Sequence, residues 1–248
     1  MMALDLARAL DPSLIAHDCG ITLDKWQAEL MRSTAPRILL LCARQTGKTT
    51  TTGFIALSTA IYKPGSLTLI FSPSQRQSAE MQRTIMLFHS KLAGAPTLNA
   101  ESVLKSEFSN GSRIIALPGS ERTIRGYAAA DLIIIDEASR VEDELLAATR
   151  PMLATSKGRL IALTTPAGKR GWFFESWTTG GDDWHRVCVP ASDCPRITQA
   201  FLDEELRELG AMRFSEEYGL EFRDNLECAF PQIIIENAFS TEVTPLWA

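Results

Sequence analysis

The residues of this chain best placed to do chemistry are Ala43-Arg44-Gln45-Thr46-Gly47-Lys48-Thr49-Thr50. They follow the apolar run Ile38-Leu39-Leu40-Leu41 and precede a stretch of helical composition, so the local order is strand, tight loop, helix. A loop of this kind turns backbone N–H groups toward one point, and the helix N-terminus adds positive potential there; both suit the phosphates of a nucleotide. Lys48 can reach the terminal phosphates, and the hydroxyl of Thr49 can reach a Mg²⁺ ion that accompanies them. The pattern departs from G-x-x-x-x-G-K-[ST] at one place, because Cys42 stands where the first glycine belongs. A second motif, Leu132-Ile133-Ile134-Ile135-Asp136-Glu137, puts an acidic pair at the end of an apolar strand, 88 residues after Lys48. From there Asp136 can hold Mg²⁺ and Glu137 can polarise an attacking water. Phosphoryl transfer needs little more than such positioning and charge neutralisation. An acidic pair at a strand end is often only a solvated feature; the upstream Gly47-Lys48-Thr49 gives this one its chemical sense.

The elements that must position these residues are legible as alternating apolar strands and amphipathic helices. A helix is expected over Ile21–Arg32, with Leu23, Trp26 and Leu30 at helical spacing, and a strand over Arg37–Cys42. The helix after the loop runs from Lys48 to Tyr62, stopped by Pro64-Gly65. A buried strand at Leu67–Ser72 leads to a helix over Pro73–Leu92 with proline in its first turn. Asn110-Gly111 predicts a hairpin within Ser106–Leu117. Strands at Asp131–Asp136, Arg159–Thr164 and Trp184–Val189 and a helix at Val141–Met152 complete the pattern. It predicts an α/β fold, with a mostly parallel sheet covered on both faces and both motifs at carboxyl ends of strands. After Pro190 the chain turns charged and helical, over Ile197–Leu209 and Met212–Phe222, as a small lid would. The expected division is a core over 1–190, a helical lid over 191–229, and the start of a linker over 230–248.

Composition narrows the function. Among 248 residues, 25 are basic and 30 acidic, so the net charge of −5 argues against holding nucleic acid by bulk electrostatics; any such contact falls to a local patch or an assembly. Five cysteines without a CxxC pair suit a reducing compartment, and three scattered histidines give no zinc spacing. No apolar run approaches the roughly 18 residues of a membrane span.

Taken together, the motifs resemble those of the large terminase subunits, the ATP-driven DNA-packaging motors of tailed phages, over nearly the whole chain. Trp26-Gln27 resembles that family's upstream glutamine motif, which reads adenine; Gln27 could pair with both a donor and an acceptor. The loop from Ala43 to Thr50 is similar to the family's phosphate loop, which often lacks the leading glycine and carries an early arginine, here Arg44. Ile124-Arg125-Gly126-Tyr127 resembles its Arg-Gly segment, Leu163-Thr164-Thr165-Pro166 its coupling motif, and Phe222–Ile235 the link into a nuclease domain. The resemblance implies a RecA-like phosphate-loop NTPase fold (the ASCE class). It implies ATP and Mg²⁺ as cofactors, and a nucleotide site of Gln27, Arg44, Gln45, Thr46, Gly47, Lys48, Thr49 and Thr50. Thr49 and Asp136 would hold the metal; Glu137, Lys48, Arg44 and Arg125 would be catalytic, and Thr164 and Thr165 would couple hydrolysis to movement. Implied partners are double-stranded DNA, a portal protein and a small terminase subunit, with the chain in a pentameric ring on the procapsid. The setting is the cytoplasm of the bacterial host, with no membrane role.

Several of these residues carry a second reading. Trp26 can be plain core, Arg44 either a loop scaffold or a γ-phosphate sensor, and Arg125 either a surface residue or a finger into a neighbouring subunit. Thr164 and Thr165 can be the hydroxyl-rich end of a buried strand. Lys157-Gly158-Arg159 and Lys169-Arg170-Gly171-Trp172 are basic loops that serve solvation as readily as DNA. Trp172, Phe173, Phe174 and Trp177 read as core facing the lid. Competing functions are a nucleotide-dependent switch with little turnover, which has no need of Glu137, and a fragment of a DEAD-like helicase, which needs a second nucleotide-facing domain. Phe230–Ala248 carries no acidic metal cluster, so DNA cleavage is not expected of this chain.

Overall fold

The computed structural model of the chain describes residues 2–119 and 126–223. Among these, β1 (Arg37–Cys42), β2 (Leu67–Ser72), β3 (Leu98–Glu101), β4 (Lys105–Phe108), β5 (Arg113–Pro118), β6 (Leu132–Asp136), β7 (Arg159–Thr164) and β8 (His185–Val189) form one sheet. Their order is β3-β4-β5-β2-β6-β7-β1-β8. The strands from β5 to β8 are parallel, while β3 and β4 add an antiparallel edge. The helices are α1 (Met2–Leu10), α2 (Ser13–Asp18), α3 (Lys25–Arg32), α4 (Lys48–Tyr62), α5 (Gln75–Lys91), α6 (Asp143–Ser156), α7 (Gly171–Thr178) and α8 (Gln199–Glu217).

Side chains alternate across a strand, so each apolar run supplies two cores. Ile38 and Leu40 of β1, Ile70 of β2 and Ile134 of β6 meet Phe54 and Leu57 of α4 and Ile85 and Phe88 of α5. Leu39, Leu41, Phe71, Ile133 and Ile135 face the other way, toward Leu145 and Met152 of α6 and Trp172 and Phe173 of α7. Leu202 and the C-capping Tyr218 of α8 join that second cluster. Trp172 and Phe173 of α7 are therefore core, Trp177 packs partly buried against it, and Phe174 meets Phe222.

Boundaries differ from the expected ones for local reasons. Asp24 is extended and its N–H donates to Gln27 Oε1 at 2.8 Å, so α3 begins at Lys25 rather than Ile21. Ser74 caps α5 by accepting the Gln77 N–H, which puts Pro73 ahead of the cap and not in the first turn. Helix α6 continues through Pro151 to Ser156. The break expected between Leu209 and Met212 is at Gly210 (φ 74°, ψ 161°), which divides α8; its second half ends at Glu217, short of Phe222. Helices α1, α2 and α7 and strand β3 had no counterpart in the sequence reading; α7 covers part of what was read as the basic loop Lys169-Arg170-Gly171-Trp172. The span 224–248, and with it the end of the expected lid and the whole of the expected linker, lies outside the described residues.

Gly158 sets the entry of β7. A Cβ built there would lie 2.1 Å from the carbonyl oxygen of Ala130 and 2.9 Å from Leu153 Cδ2. The first clash is with backbone, which cannot step aside. Gly158→Ala is expected to lower stability by about 1–3 kcal/mol in urea denaturation; a variant as stable as the parent would show that this approach is not tight.

Candidate active site

Strand β7 lies between β1 and β6, with Leu41 opposite Thr164 and Leu163 opposite Asp136. The sheet order thus brings three carboxyl ends together: the phosphate loop after β1, Thr164-Thr165 after β7, and Asp136-Glu137 after β6. In such a sheet this is the ligand-binding edge.

The loop shows why Cys42 is tolerated. Its positive φ values fall at Gln45 (59°) and Gly47 (89°), so position 42 needs no glycine's freedom. Cys42 is the last residue of β1, pairs with Val189, and points its side chain into the core. Burial pushes its thiol up to about 12, so it stays protonated. Thr46 is fully buried and its hydroxyl donates to the Ala43 carbonyl at 2.9 Å, closing the loop. Gly47 caps α4 in the left-handed region, where a Cβ would come within 2.7 Å of Gln27 Nε2. Helix α4 then starts at Lys48, presenting its free N–H groups and dipole to the loop's hollow. Thr49 and Thr50 lie half-buried in that first turn.

Lys48 Nζ stands 3.1 Å from Glu137 Oε1. The other Glu137 oxygen accepts from Arg140 Nη1 at 2.6 Å, and the same nitrogen donates to the Thr165 hydroxyl at 3.2 Å. Glu137 itself adopts a left-handed conformation (φ 50°, ψ 46°), uncommon for a side chain of this size and of a kind that gathers at functional sites. The Thr164 hydroxyl accepts the Ser139 N–H at 3.3 Å and donates to the Thr165 carbonyl at 2.7 Å. Thr164 and Thr165 are thus wired to the loop that follows Glu137. Arg140 was missed from sequence, although its spacing of three from Glu137 was a readable signal.

Asp136 is buried, and its Oδ1 accepts the Glu137 N–H at 3.0 Å. Desolvation first, and then the Glu137 charge, raise its pKa from 3.8 to about 6, against the pull of Lys48. A desolvated carboxylate with spare lone pairs fits a hard divalent cation, as does the Thr49 hydroxyl. No group of three His, Cys, Asp or Glu side chains able to hold a metal occurs among the described residues.

Other predicted residues stand further back. Arg44 is exposed and turned to the end of α8, its guanidinium ion-paired with the Glu217 carboxylate and its backbone N–H donating to the Glu217 carbonyl at 3.3 Å. Gln27 is buried against the loop, with Nε2 3.4–3.5 Å from the Gly47 and Thr46 carbonyls and Oε1 taken by Asp24. Trp26 packs partly buried against the core. Arg125 lies outside the described residues. Arg196, absent from the sequence reading, donates to the Thr46 carbonyl at 3.0 Å and pairs with Asp24 at 2.7 Å.

The sequence model of the family described as terminase large subunit, T4likevirus-type, N-terminal, matches residues 39–235. The chain belongs to the terminase large-subunit family. The fold of this terminase is similar to that of the large terminase ATPase domain of Thermus phage P74-26 (TM-score 0.72, 21% identity, 84% of this chain and 96% of that one). It is also similar to the HK97 bacteriophage large terminase (TM-score 0.63, 17% identity, 82% and 51%). A third similar structure is the large terminase of a thermophilic bacteriophage in complex with ADP (TM-score 0.66, 10% identity, 81% and 54%). The chain thus spans about half the length of the latter two. No curated protein matches it. The likeness shows the RecA-like fold expected from the motifs. No helix among the described residues is long and apolar enough to cross a membrane.

The Asp136 geometry has a consequence for stability. Because its native pKa of about 6 exceeds the unfolded value of 3.8, the folded state binds the proton more tightly between these limits. Stability should therefore fall as pH rises from about 4 to about 6 and stay reduced above. Asp136→Asn should flatten that fall and stabilise the nucleotide-free protein by roughly 2 kcal/mol near neutral pH. Denaturant titrations at pH 4 and pH 7.5 check this; an Asn variant less stable than the parent at pH 7.5 would contradict the burial penalty.

Proposed function

We propose that this terminase chain is a Mg²⁺-dependent ATPase that powers translocation of double-stranded DNA into a procapsid, acting in the cytoplasm of the bacterial host. The observation that carries the proposal is the 3.1 Å pairing of Lys48 with Glu137 above the buried Asp136. It joins the phosphate-loop cation to the carboxylate that, in this reading, acts on water.

Phosphates entering the loop are received by the N–H groups of Gly47, Lys48, Thr49 and Thr50. Lys48 exchanges its Glu137 partner for the terminal phosphates. Glu137 keeps Arg140 on its other oxygen and turns the freed one to the attacking water, whose proton it accepts as the γ-phosphoryl departs. Thr49 and Asp136 would hold Mg²⁺, which when bound neutralises charge on the phosphate oxygens. Loss of the γ-phosphate is felt at Glu137, and the Arg140–Thr165 bond passes that change to the coupling residues Thr164 and Thr165. Arg44 can reach the γ-phosphate only by releasing Glu217, which would free the lid helix. The ADP complex of the similar thermophilic-phage enzyme supports nucleotide binding by this fold. Gln27 reads adenine after releasing the loop carbonyls. Arg125 is assigned as a finger to the neighbouring subunit of a pentameric ring, docked on the portal and supplied with DNA by the small subunit.

Steady-state hydrolysis of Mg·ATP tests the site. Lys48→Ala and Glu137→Ala should each lower kcat by about 100-fold or more. Specific activity should rise with protein concentration, and Arg125→Ala should abolish the rise. Equal turnover in all proteins would overturn the site assignment; a specific activity independent of concentration would remove the role of Arg125 in trans.

A further inference from the structure

Arg196 lies in the turn between β8 and α8, at the root of the lid helix, and belongs to none of the phosphate-loop motifs. Its guanidinium forks. One nitrogen is 2.7 Å from Asp24 Oδ1, and the other donates to the Thr46 carbonyl at 3.0 Å. Gln27 Nε2 approaches that carbonyl from the same side, at 3.5 Å, and its Oε1 is fixed by the Asp24 N–H. Three segments separated by 150 and 172 residues for Arg196 are therefore tied at one carbonyl of the loop. The tie is close, since a Cβ on Gly47 would meet both Gln27 Nε2 and Arg196 Nη2.

The peptide group between Thr46 and Gly47 is planar and trans. Its N–H points opposite to its C=O. With the carbonyl engaged by Arg196, whose hold does not depend on Gln27, the Gly47 N–H faces the opposite way, toward the hollow that the ATPase reading assigns to phosphate. Left-handed Gly47 has the freedom to let that peptide turn over, so the direction has to be imposed from outside the loop. We propose that Arg196 is a positioning residue: it anchors the Thr46 carbonyl and thereby aims the Gly47 N–H at the nucleotide's phosphates, making the root of the lid part of the phosphate site. The proposal rests on the ATPase reading above and adds a residue to it.

Calorimetric titration with Mg·ATP and with Mg·tripolyphosphate, which has no base or sugar, tests this in the wild type and Arg196→Ala. Loss of a charged hydrogen bond that orients the loop should weaken both ligands by the same factor, about tenfold. KM for ATP should rise by that factor, with kcat changed less than about threefold. Weakening confined to ATP would place Arg196 against the base or ribose and overturn the proposal, as would unchanged binding of both. If Arg196→Ala does not fold, Arg196→Lys serves in its place, because a compact ammonium lacks the planar two-nitrogen fork that Arg196 uses to span Asp24 and Thr46; the equal weakening of both ligands is again required. A wild type that binds neither ligand would overturn the ATPase reading itself, and so is distinguished from failure of this assignment.

Discussion

One carboxylate held between two cations organises the site. Glu137 meets Lys48 from the phosphate loop on one oxygen and Arg140 from its own loop on the other. Both Lys48 and Glu137 are largely buried, at 12% and 19% side-chain exposure, so neither charge is stable there without a partner. In the mechanism we propose, the nucleotide-free protein stores its phosphate-binding lysine on its water-activating carboxylate, and a ligand carrying more negative charge than one carboxylate takes the lysine and frees Glu137 to act. Binding and activation are then one event, with Glu137 held in a left-handed backbone conformation at the meeting point.

That meeting depends on the order of the strands. Inserting β7 between β1 and β6 separates the lysine loop from the acidic pair by one strand and fills the gap with Thr164 and Thr165. The hydroxyl of Thr164 and the Arg140–Thr165 bond then join the strand end to the loop bearing Glu137. On the other side, Arg44 pairs with Glu217 at the end of α8, and Arg196, in the turn before α8, reaches the Thr46 carbonyl. In the mechanism we propose, a shift of the loop on nucleotide binding is transmitted in two directions, toward Thr164-Thr165 and toward α8.

The parts of this arrangement written in local pattern were legible in the sequence. Helix α4 begins and ends where Gly47 and Pro64-Gly65 say it should, because a left-handed glycine and a proline act within one turn. The Asn110-Gly111 hairpin and the continuous apolar strands are local in the same sense. The adjacency of Thr164-Thr165 to Asp136-Glu137 followed once a parallel sheet was granted. What escaped was set by tertiary approach. Arg196 reaches Asp24 and Thr46 across 172 and 150 residues, and nothing near it in the chain marks it. Gln27 was read as an adenine contact, and nothing in its neighbourhood in the chain marks its engagement with the loop carbonyls. The capping by Asp24 and Ser74 moved helix starts by a few residues, since single side-chain bonds decide such ends.

The central claim is that Lys48 is shared between Glu137 and the nucleotide, and that Glu137 is needed for chemistry rather than for binding. Glu137→Gln keeps the shape and removes the charge, so it separates the two. The most direct measurement is the dissociation constant for Mg·ATP beside single-turnover hydrolysis in this variant. The account predicts ATP binding at least as tight as in the wild type, because Lys48 no longer has a competing anion, with hydrolysis slowed by about 100-fold or more. Wild-type hydrolysis in the Gln variant, or loss of ATP binding with it, would contradict the account.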